Sequence, residues 1–313
     1  MTRPIVAIVG ATATGKSAVG LALAHLLGAD DAPGAEIVNA DSMQFYRGMD
    51  IGTAKLPVDE RRGVAHHQLD TLDVIEDASV AHFQESARAD IAAIHGRGLR
   101  TVVVGGSGLY LRALLDRFDF PGTDPQVRAR LEARVVAEGP GILHRELAAL
   151  DPRAAAKIHP RNAKRIVRAL EIIEVAGDYT SSLPRHEYES PAIQIALELP
   201  YEALDERIAA RVDRMWADGL VDEVKCLVNG GLREGVTARR AVGYAETLAH
   251  LDGELDGVEA RELIKRNTRR LARKQDRWFR PDPRVHWIPA PADEADVERA
   301  ARDALALVRT LEP

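Results

Sequence analysis

Gly10-Ala11-Thr12-Ala13-Thr14-Gly15-Lys16-Ser17 follows directly on the apolar run Ile5–Val9 and precedes a helical pattern over Ser17–Leu27. Strand, glycine-rich turn and helix in that order are the setting in which GxxxxGK[ST] cradles phosphate. Backbone N–H groups of the loop and of the first helical turn converge on an anion, and the helix dipole adds positive potential at the same point. Lys16 brings a mobile charge to the terminal phosphate, and the Ser17 hydroxyl is a ligand for Mg²⁺. A glycine-rich turn that binds nothing is the competing reading, and the strand and helix on either side weigh against it. All eight residues are therefore expected to line a phosphate site.

Outward from this loop, apolar runs alternate with helical patterns. Glu36–Asn39 reads as a short strand leading to Asp41, Val80–Gly96 as a helix, and Thr101–Val104 as a buried strand closed by Gly105-Gly106-Ser107-Gly108. This alternation predicts an α/β fold, a parallel P-loop NTPase-like sheet with ligands at the strand C-termini. Gly10–Ser17, Asp41 and Gly105–Ser107 should then share one crevice. From Asp124 to Gly177 the pattern is nearly all helical, opened by the N-cap Asp124 with Pro125 in the first turn. Residues 184–191 read as a turn, Ala192–Leu199 as a strand rejoining the sheet, Leu263–Phe279 as a basic helix, and Arg284–Ile288 as a last strand before a closing helix. The expected organisation is a catalytic core of residues 1–115 plus 192–313 carrying a mostly helical insertion of residues 116–191.

Composition bounds the function. The 313 residues are 46% hydrophobic and 29% charged, as in an ordinary globular protein. One cysteine, Cys226, excludes an internal disulfide framework and a cysteine-cluster zinc site. No apolar run of 18 residues occurs, so no membrane span is expected. The start, Met1-Thr2-Arg3-Pro4, leaves no room for a targeting peptide, and a cytoplasmic monomer is the expectation. Net charge is −6, but it is segregated: Lys265–Arg280 holds eight Lys/Arg against Asp276 alone, a local +7 that leaves −13 elsewhere. Pro152–Leu170 holds Arg153, Lys157, Arg161, Lys164, Arg165 and Arg168 with no acid. Two basic segments on an acidic body fit a polyanion held at two places; two solvated helix faces fit equally on charge alone.

P-loop hydrolases and kinases normally place a Mg²⁺-holding Asp at the end of an apolar strand. Here the best buried strand ends in Gly105-Gly106, and the acid stands instead at Asp41, after the second strand. Asp41 is open to three roles: metal ligand, general base, or helix cap. Its position beside the phosphate loop favours a chemical one.

The motifs Gly10–Ser17, Asp41-Ser-Met-Gln-Phe-Tyr-Arg-Gly-Met-Asp-Ile-Gly-Thr-Ala-Lys55, His66-His67-Gln-Leu-Asp70, Gly105-Gly-Ser-Gly-Leu-Tyr110, Asp124-Pro-Gln-Val-Arg128, Arg161–Arg165 and Arg240-Ala-Val-Gly-Tyr244 follow one another in order. Together they closely resemble the tRNA dimethylallyltransferases (tRNA isopentenyltransferases, the IPP transferase family), over about residues 5 to 280. The resemblance implies transfer of a dimethylallyl group from dimethylallyl diphosphate to N6 of adenosine 37 in tRNAs reading codons that start with U, releasing diphosphate. It implies that Asp41 is the general base, that Lys16 and Arg240 neutralise the leaving diphosphate, and that Mg²⁺ lies near Ser17. It further implies that Asp41, Ser42, Met43, Gln44, Ser107, Arg128, Arg161, Asn162, Ala163, Lys164 and Arg165 contact the tRNA anticodon stem-loop. Departures are few. Ala11 stands where the family usually has Pro, Ser17 and Ser107 where it has Thr, and Asn162-Ala163 where it often has Asp-Pro; the zinc-finger extension of eukaryotic relatives is absent, consistent with a bacterial-type enzyme.

Three other readings compete. A small-molecule or nucleoside kinase would use the loop for ATP, but the displaced acid and the two basic segments argue against it. A P-loop switch would need a guanine-reading NKxD, which is missing. Free adenine nucleotide as acceptor would leave the long basic insertion without a purpose. His66 and His67 read as structural, since adjacent side chains diverge and no further ligands sit at metal spacing. Cys226 reads as buried filler, and Trp216, Trp278 and Trp287 as core or surface-edge residues, with Trp278 inside the basic segment the one that merits checking as a stacking platform.

Overall fold

The computed structural model describes residues 3–28, 34–118, 120, 122–177 and 186–312. Among these, six strands form one all-parallel sheet: β1 (Ile5–Val9), β2 (Ala35–Asn39), β3 (His66–His67), β4 (Arg100–Val104), β5 (Ala192–Glu198) and β6 (Val285–Pro289), in the order β3-β2-β4-β1-β5-β6. β1 is central and wholly buried, and its period of two sorts side chains to opposite layers. Val6 and Ile8 pack with Val102, Val104, Ile193 and Ile195 under helix α1 (Lys16–Leu27) and the last helix. Ile5, Ala7 and Val9 pack with Val103, Phe83, Ile94 and Leu111 under α2 (Val80–Gly96) and α3 (Gly108–Leu115). Both faces being covered, the strands read as continuous apolar runs, which is why they were legible. The two-residue β3 was not: His66 and His67 carry no strand signal, and their pairing to Ile37 and Val38 is imposed by the neighbour.

The chain divides into two compact units, residues 1–116 with 186–313, and residues 117–185. The expected insertion, 116–191, is wider at both ends. Asp116 and Tyr188 form an antiparallel bridge, the Glu189 N–H donates to the Leu115 carbonyl, and the Tyr188 hydroxyl accepts from Gln194, so both ends belong to the sheet unit. Of the expected turn, residues 184 and 185 lie outside the described residues. Unit 117–185 contains α4 (Pro125–Glu138), α5 (Pro140–Leu150), α6 (Pro152–Lys157) and α7 (Ala163–Ala176) around Leu131, Leu143, Leu147, Ile166 and Leu170. Asp124, Asp151 and Asn162 cap three of its helices with their side chains.

The sheet unit continues through α8 (Tyr201–Ala217), α9 (Leu220–Asn229), α10 (Tyr244–Leu251), α11 (Gly257–Phe279) and α12 (Val297–Leu311). α8 to α11 enclose a third core of Leu204, Ile208, Val224, Tyr244 and Ile264, with Tyr46 and Met49 from the loop after β2. Cys226 is exposed, against expectation. The inward positions of α9 are Leu220 and Val224, and Cys226 lies more than a quarter-turn away on the outer face. Trp278 and Trp287 are half-buried against the layer under α2 and α3 and Trp216 against the third core, with Arg280 over the Trp287 ring and Arg261 over that of Trp216. No helix among the described residues is long and apolar enough to cross a membrane.

Candidate functional site

The loop after β1 adopts the conformations its glycines allow. Gly10 has φ 128° and Gly15 φ 90°, left-handed backbone that side chains other than glycine resist. Ala13 also turns through φ 64°, and the buried Thr14 hydroxyl donates to the Ala11 carbonyl at 2.9 Å, closing the loop. Lys16 folds back so that Nζ donates to the same Ala11 carbonyl at 2.5 Å. Burial lowers its ammonium to about 8; Asp41 opposes that shift and Arg211 adds to it. An anion delivered to the loop would raise it again by favouring the charged form.

Asp41 stands at the C-terminal end of β2, held by its neighbours. The Asn39 side chain accepts the Asp41 N–H at 3.0 Å and donates to the Asp41 and Gln68 carbonyls, and Asp41 Oδ1 accepts the Met43 N–H at 3.0 Å. The Ser42 N–H donates to Ser107 Oγ at 3.2 Å, which ties the turn after β2 to the turn after β4. Gln44 Nε2 donates to the Thr53 carbonyl at 3.1 Å.

Two cavities meet at this acid. The first, about 840 Å³, is lined by Thr12, Ala13, Gly15, Lys16, Ser17, Gly105, Arg211 and Arg214. The second, about 290 Å³, is lined by Ser42, Met43, Ser107, Arg240 and Gln275, with an apolar wall that includes Met215 and Ile264. Thr12, Asp41, Thr53 and Arg211 line both. Thr12, Ala13, Gly15, Lys16 and Ser17 of the loop, Asp41, Gly105 and Ser107 thus line two adjoining compartments, whereas Gly10, Ala11 and Thr14, expected to line the site, are buried beneath it and line neither. Lys16 and Arg240, expected to act together, line different ones: Lys16 the first, and Arg240, which is exposed, the second.

Three side chains here were missed from sequence. Arg211 donates to the Thr53 carbonyl at 3.3 Å, and burial lowers its guanidinium from the ordinary value, with Asp41 opposing. Arg214 joins it in the first cavity. Arg207, Arg211 and Arg214 recur at helical spacing in α8, a signal that was available. Gln275 of α11 accepts the Thr12 N–H at 2.8 Å, so one amide of the phosphate loop is already bonded to a helix 263 residues away. No local pattern announces that contact.

For Mg²⁺, the Ser17 hydroxyl is exposed on the first cavity and Asp41 lines the same wall, both hard oxygen donors. Among the described residues no cluster of three His, Cys, Asp or Glu forms a protein-only metal site. The donor set fits a cation held chiefly through phosphate oxygens and water, the usual habit of Mg²⁺.

The basic segments differ from their sequence appearance. In α11, Lys265 pairs with Asp213 and Glu262, and Arg269 and Arg273 with Asp205; Arg280, just past its end, pairs with Glu198 and Asp276. Arg266, Arg270, Lys274 and Arg277 are exposed with no acidic partner among the described residues. At 100° per residue these four form one stripe about 80° wide. In the helical unit, Arg128 forms a forked bond to the fully buried Glu171, which also accepts from Arg168 and the Asp124 N–H. Asn162 caps α7 by accepting the Arg165 N–H, and Ala163 is the first residue of that helix. Arg161, Lys164 and Arg165 are exposed and have no acidic partner among the described residues. His67 bonds Glu36 at 2.5 Å and His66 the Val64 carbonyl, structural roles as expected.

Comparison with known proteins bears on the family and the fold. Residues 44–282 match the IPP transferase family. A tRNA dimethylallyltransferase of Kineococcus radiotolerans is 57% identical over 306 residues, covering 97% of this chain and 96% of the relative; one of Thermobifida fusca is 57% identical over 297 residues, covering 95% and 92%. Among solved structures, the full-length tRNA isopentenylpyrophosphate transferase of Bacillus halodurans matches with TM-score 0.69 and 39% identity over 99% of both chains. A eukaryotic dimethylallyltransferase acting on tRNA matches with TM-score 0.84 and 26% identity, over 98% of this chain and 79% of the other. The α/β sheet with its phosphate loop is the fold these relatives share, and the chain belongs to the IPP transferase family.

Proposed function

We propose that this chain transfers a dimethylallyl group from dimethylallyl diphosphate to N6 of adenosine 37 in tRNA, releasing diphosphate. The observation that carries the reading is the pair of cavities sharing Asp41 as a common wall, one built of loop amides and cations and the other opening past Ser107 and Arg240. A diphosphate suits the first, and an extruded adenine suits the second. Removing the base from the anticodon stack costs a few kcal/mol, offset by contacts in the pocket.

The adenine amine is a weak nucleophile because its lone pair is delocalised into the ring. Asp41 takes the N6 proton as the new C–N bond forms, localising that pair, an effect of about 10²–10⁴ in rate. The allylic C–O bond breaks as charge grows on diphosphate, and that charge meets Lys16, Arg211 and the loop amides. Ser17 would hold Mg²⁺, whose contribution is to neutralise diphosphate oxygens. The exposed cations Arg161, Lys164 and Arg165, with the α11 stripe, hold the RNA backbone; Arg128 and Asn162 shape the helices that present them.

Asp41→Ala tests the assignment. Single-turnover transfer should fall at least a hundredfold, while tRNA affinity stays within about twofold. A loss of less than about tenfold takes the base role from Asp41.

A further inference from the structure

Among the described residues, the stretch from Met49 to Lys55 makes no hydrogen bond to the phosphate loop or to the Asp41 side chain. It closes on itself: the Thr53 hydroxyl donates to the Met49 carbonyl at 2.6 Å, the Ala54 N–H to Ile51 and the Lys55 N–H to Asp50. Two anchors hold it, one buried and one half-buried. On the inner side Lys55, 8% exposed, donates to the Tyr46 carbonyl at 2.8 Å and to Asp50 and Asp70, each at 2.6 Å. On the outer side a single carboxylate, Glu223 in the first turn of α9, collects four donors. They are the N–H groups of Asp50 (3.1 Å), Ile51 (2.6 Å) and Gly52 (3.2 Å), and the Tyr244 hydroxyl (2.6 Å). Burial and the neighbouring Glu223 keep the Tyr244 phenol protonated, so it remains a donor. Gly52 is needed for this approach, since a Cβ there would stand 2.5 Å from the Tyr244 ring.

We propose that Glu223 is a positioning residue for the transfer reaction: by fixing the Asp50–Gly52 backbone it sets the carbonyl of the next residue, Thr53. That carbonyl accepts from both Gln44 and Arg211, and Thr53 lines both cavities beside Asp41. Three successive N–H groups pointed at one anion make a site of the kind that binds phosphate elsewhere. Here the anion is the protein's own, so the geometry is present before substrate arrives. Charge-assisted hydrogen bonds to backbone N–H groups are among the stronger ones, and Glu223 accepts three of them. The inference rests on the proposed reaction, and it assigns to Glu223 no contact with substrate.

Its test combines kinetics with amide hydrogen exchange on the full chain. Glu223→Ala should lower kcat for tRNA dimethylallyl transfer by about ten- to a hundredfold, as misplacement of a reacting constellation does, with KM for tRNA little changed. Glu223→Gln, which keeps one acceptor oxygen, should fall between. In Glu223→Ala the amides of Asp50, Ile51 and Gly52 should exchange at least about tenfold faster while those of α8 and α10 keep their protection. Combining it with Gln44→Ala should cost no more than the worse single change, because both act through the Thr53 carbonyl. Wild-type protection at residues 50–52, losses that multiply independently, or exchange spread through α9 and α10 would each overturn the proposal. If the wild-type protein transfers nothing to tRNA, the proposed reaction falls, and local exchange still decides whether Glu223 holds the loop.

Discussion

Half of the eight basic residues from Lys265 to Arg280 pair with acids of the fold, and this makes RNA binding by that segment quantitatively testable. The informative perturbation is the quadruple change Arg266→Gln, Arg270→Gln, Lys274→Gln and Arg277→Gln, all exposed and without acidic partners among the described residues. Each phosphate neutralised on a duplex contributes about −0.9 to the slope of log K against log salt, so four contacts contribute about 3.6. Between 50 and 200 mM salt that amounts to roughly two orders of magnitude in affinity. Filter binding of an unmodified anticodon stem-loop across that range should show the slope shallower by about this amount, with the melting temperature unchanged. The control is Lys265→Gln with Arg273→Gln, which removes cations engaged with Asp213, Glu262 and Asp205. It should leave the slope nearly as it was and lower the melting temperature instead. Equal change in slope per charge in the two variants would refute the argument, because it would mean that ion pairing within the fold does not select the cations that meet RNA.

Three further outcomes follow from the site. Lys16 is charged below pH about 8 and loses its proton above it, whereas bound diphosphate keeps it charged. Affinity for inorganic diphosphate should therefore be level below pH 8 and weaken up to about tenfold per pH unit above it, relative to Lys16→Met, which should lack this component; parallel curves would refute it. Arg211→Gln should weaken inorganic diphosphate binding more than Arg240→Gln, since only Arg211 lines the phosphate-loop cavity as well as the second one, and calorimetry giving the reverse order would return the leaving group to Arg240. Gln275→Ala leaves the Thr12 N–H without its acceptor. It should weaken diphosphate binding about fivefold, the scale of one lost hydrogen bond, and Gln275→Glu should restore the loop but not the affinity, because it adds a negative charge nearby.

The phosphate loop, the strands flanking it and the acid after β2 were legible because each is a local pattern: a buried parallel strand is a continuous apolar run, and a glycine-rich turn sits where the backbone needs left-handed conformations. The helical insertion was legible as a change of period, and its edges were not. Asp116 and Tyr188 join the sheet unit through a bridge that no window of sequence contains. Charge was the least readable quantity. A local +7 over Lys265–Arg280 ignores Glu198, Asp205 and Asp213, which arrive from between 52 and 82 positions away. Gln275 and Glu223 escaped notice for the same reason, since each acts on backbone amides remote in sequence. Arg211 was within reach, because Arg207, Arg211 and Arg214 share one face of α8.

The central claim is that a dimethylallyl group crosses from the phosphate-loop cavity to an adenine entering beside Asp41. Incubating the pure protein with Mg²⁺, labelled dimethylallyl diphosphate and unmodified tRNA carrying A36 and A37, followed by nuclease digestion, tests it most directly. The account predicts label on N6 of adenosine 37 and release of one diphosphate per group transferred. Absence of label in RNA, with ATP consumed on a small hydroxylated acceptor instead, would contradict it.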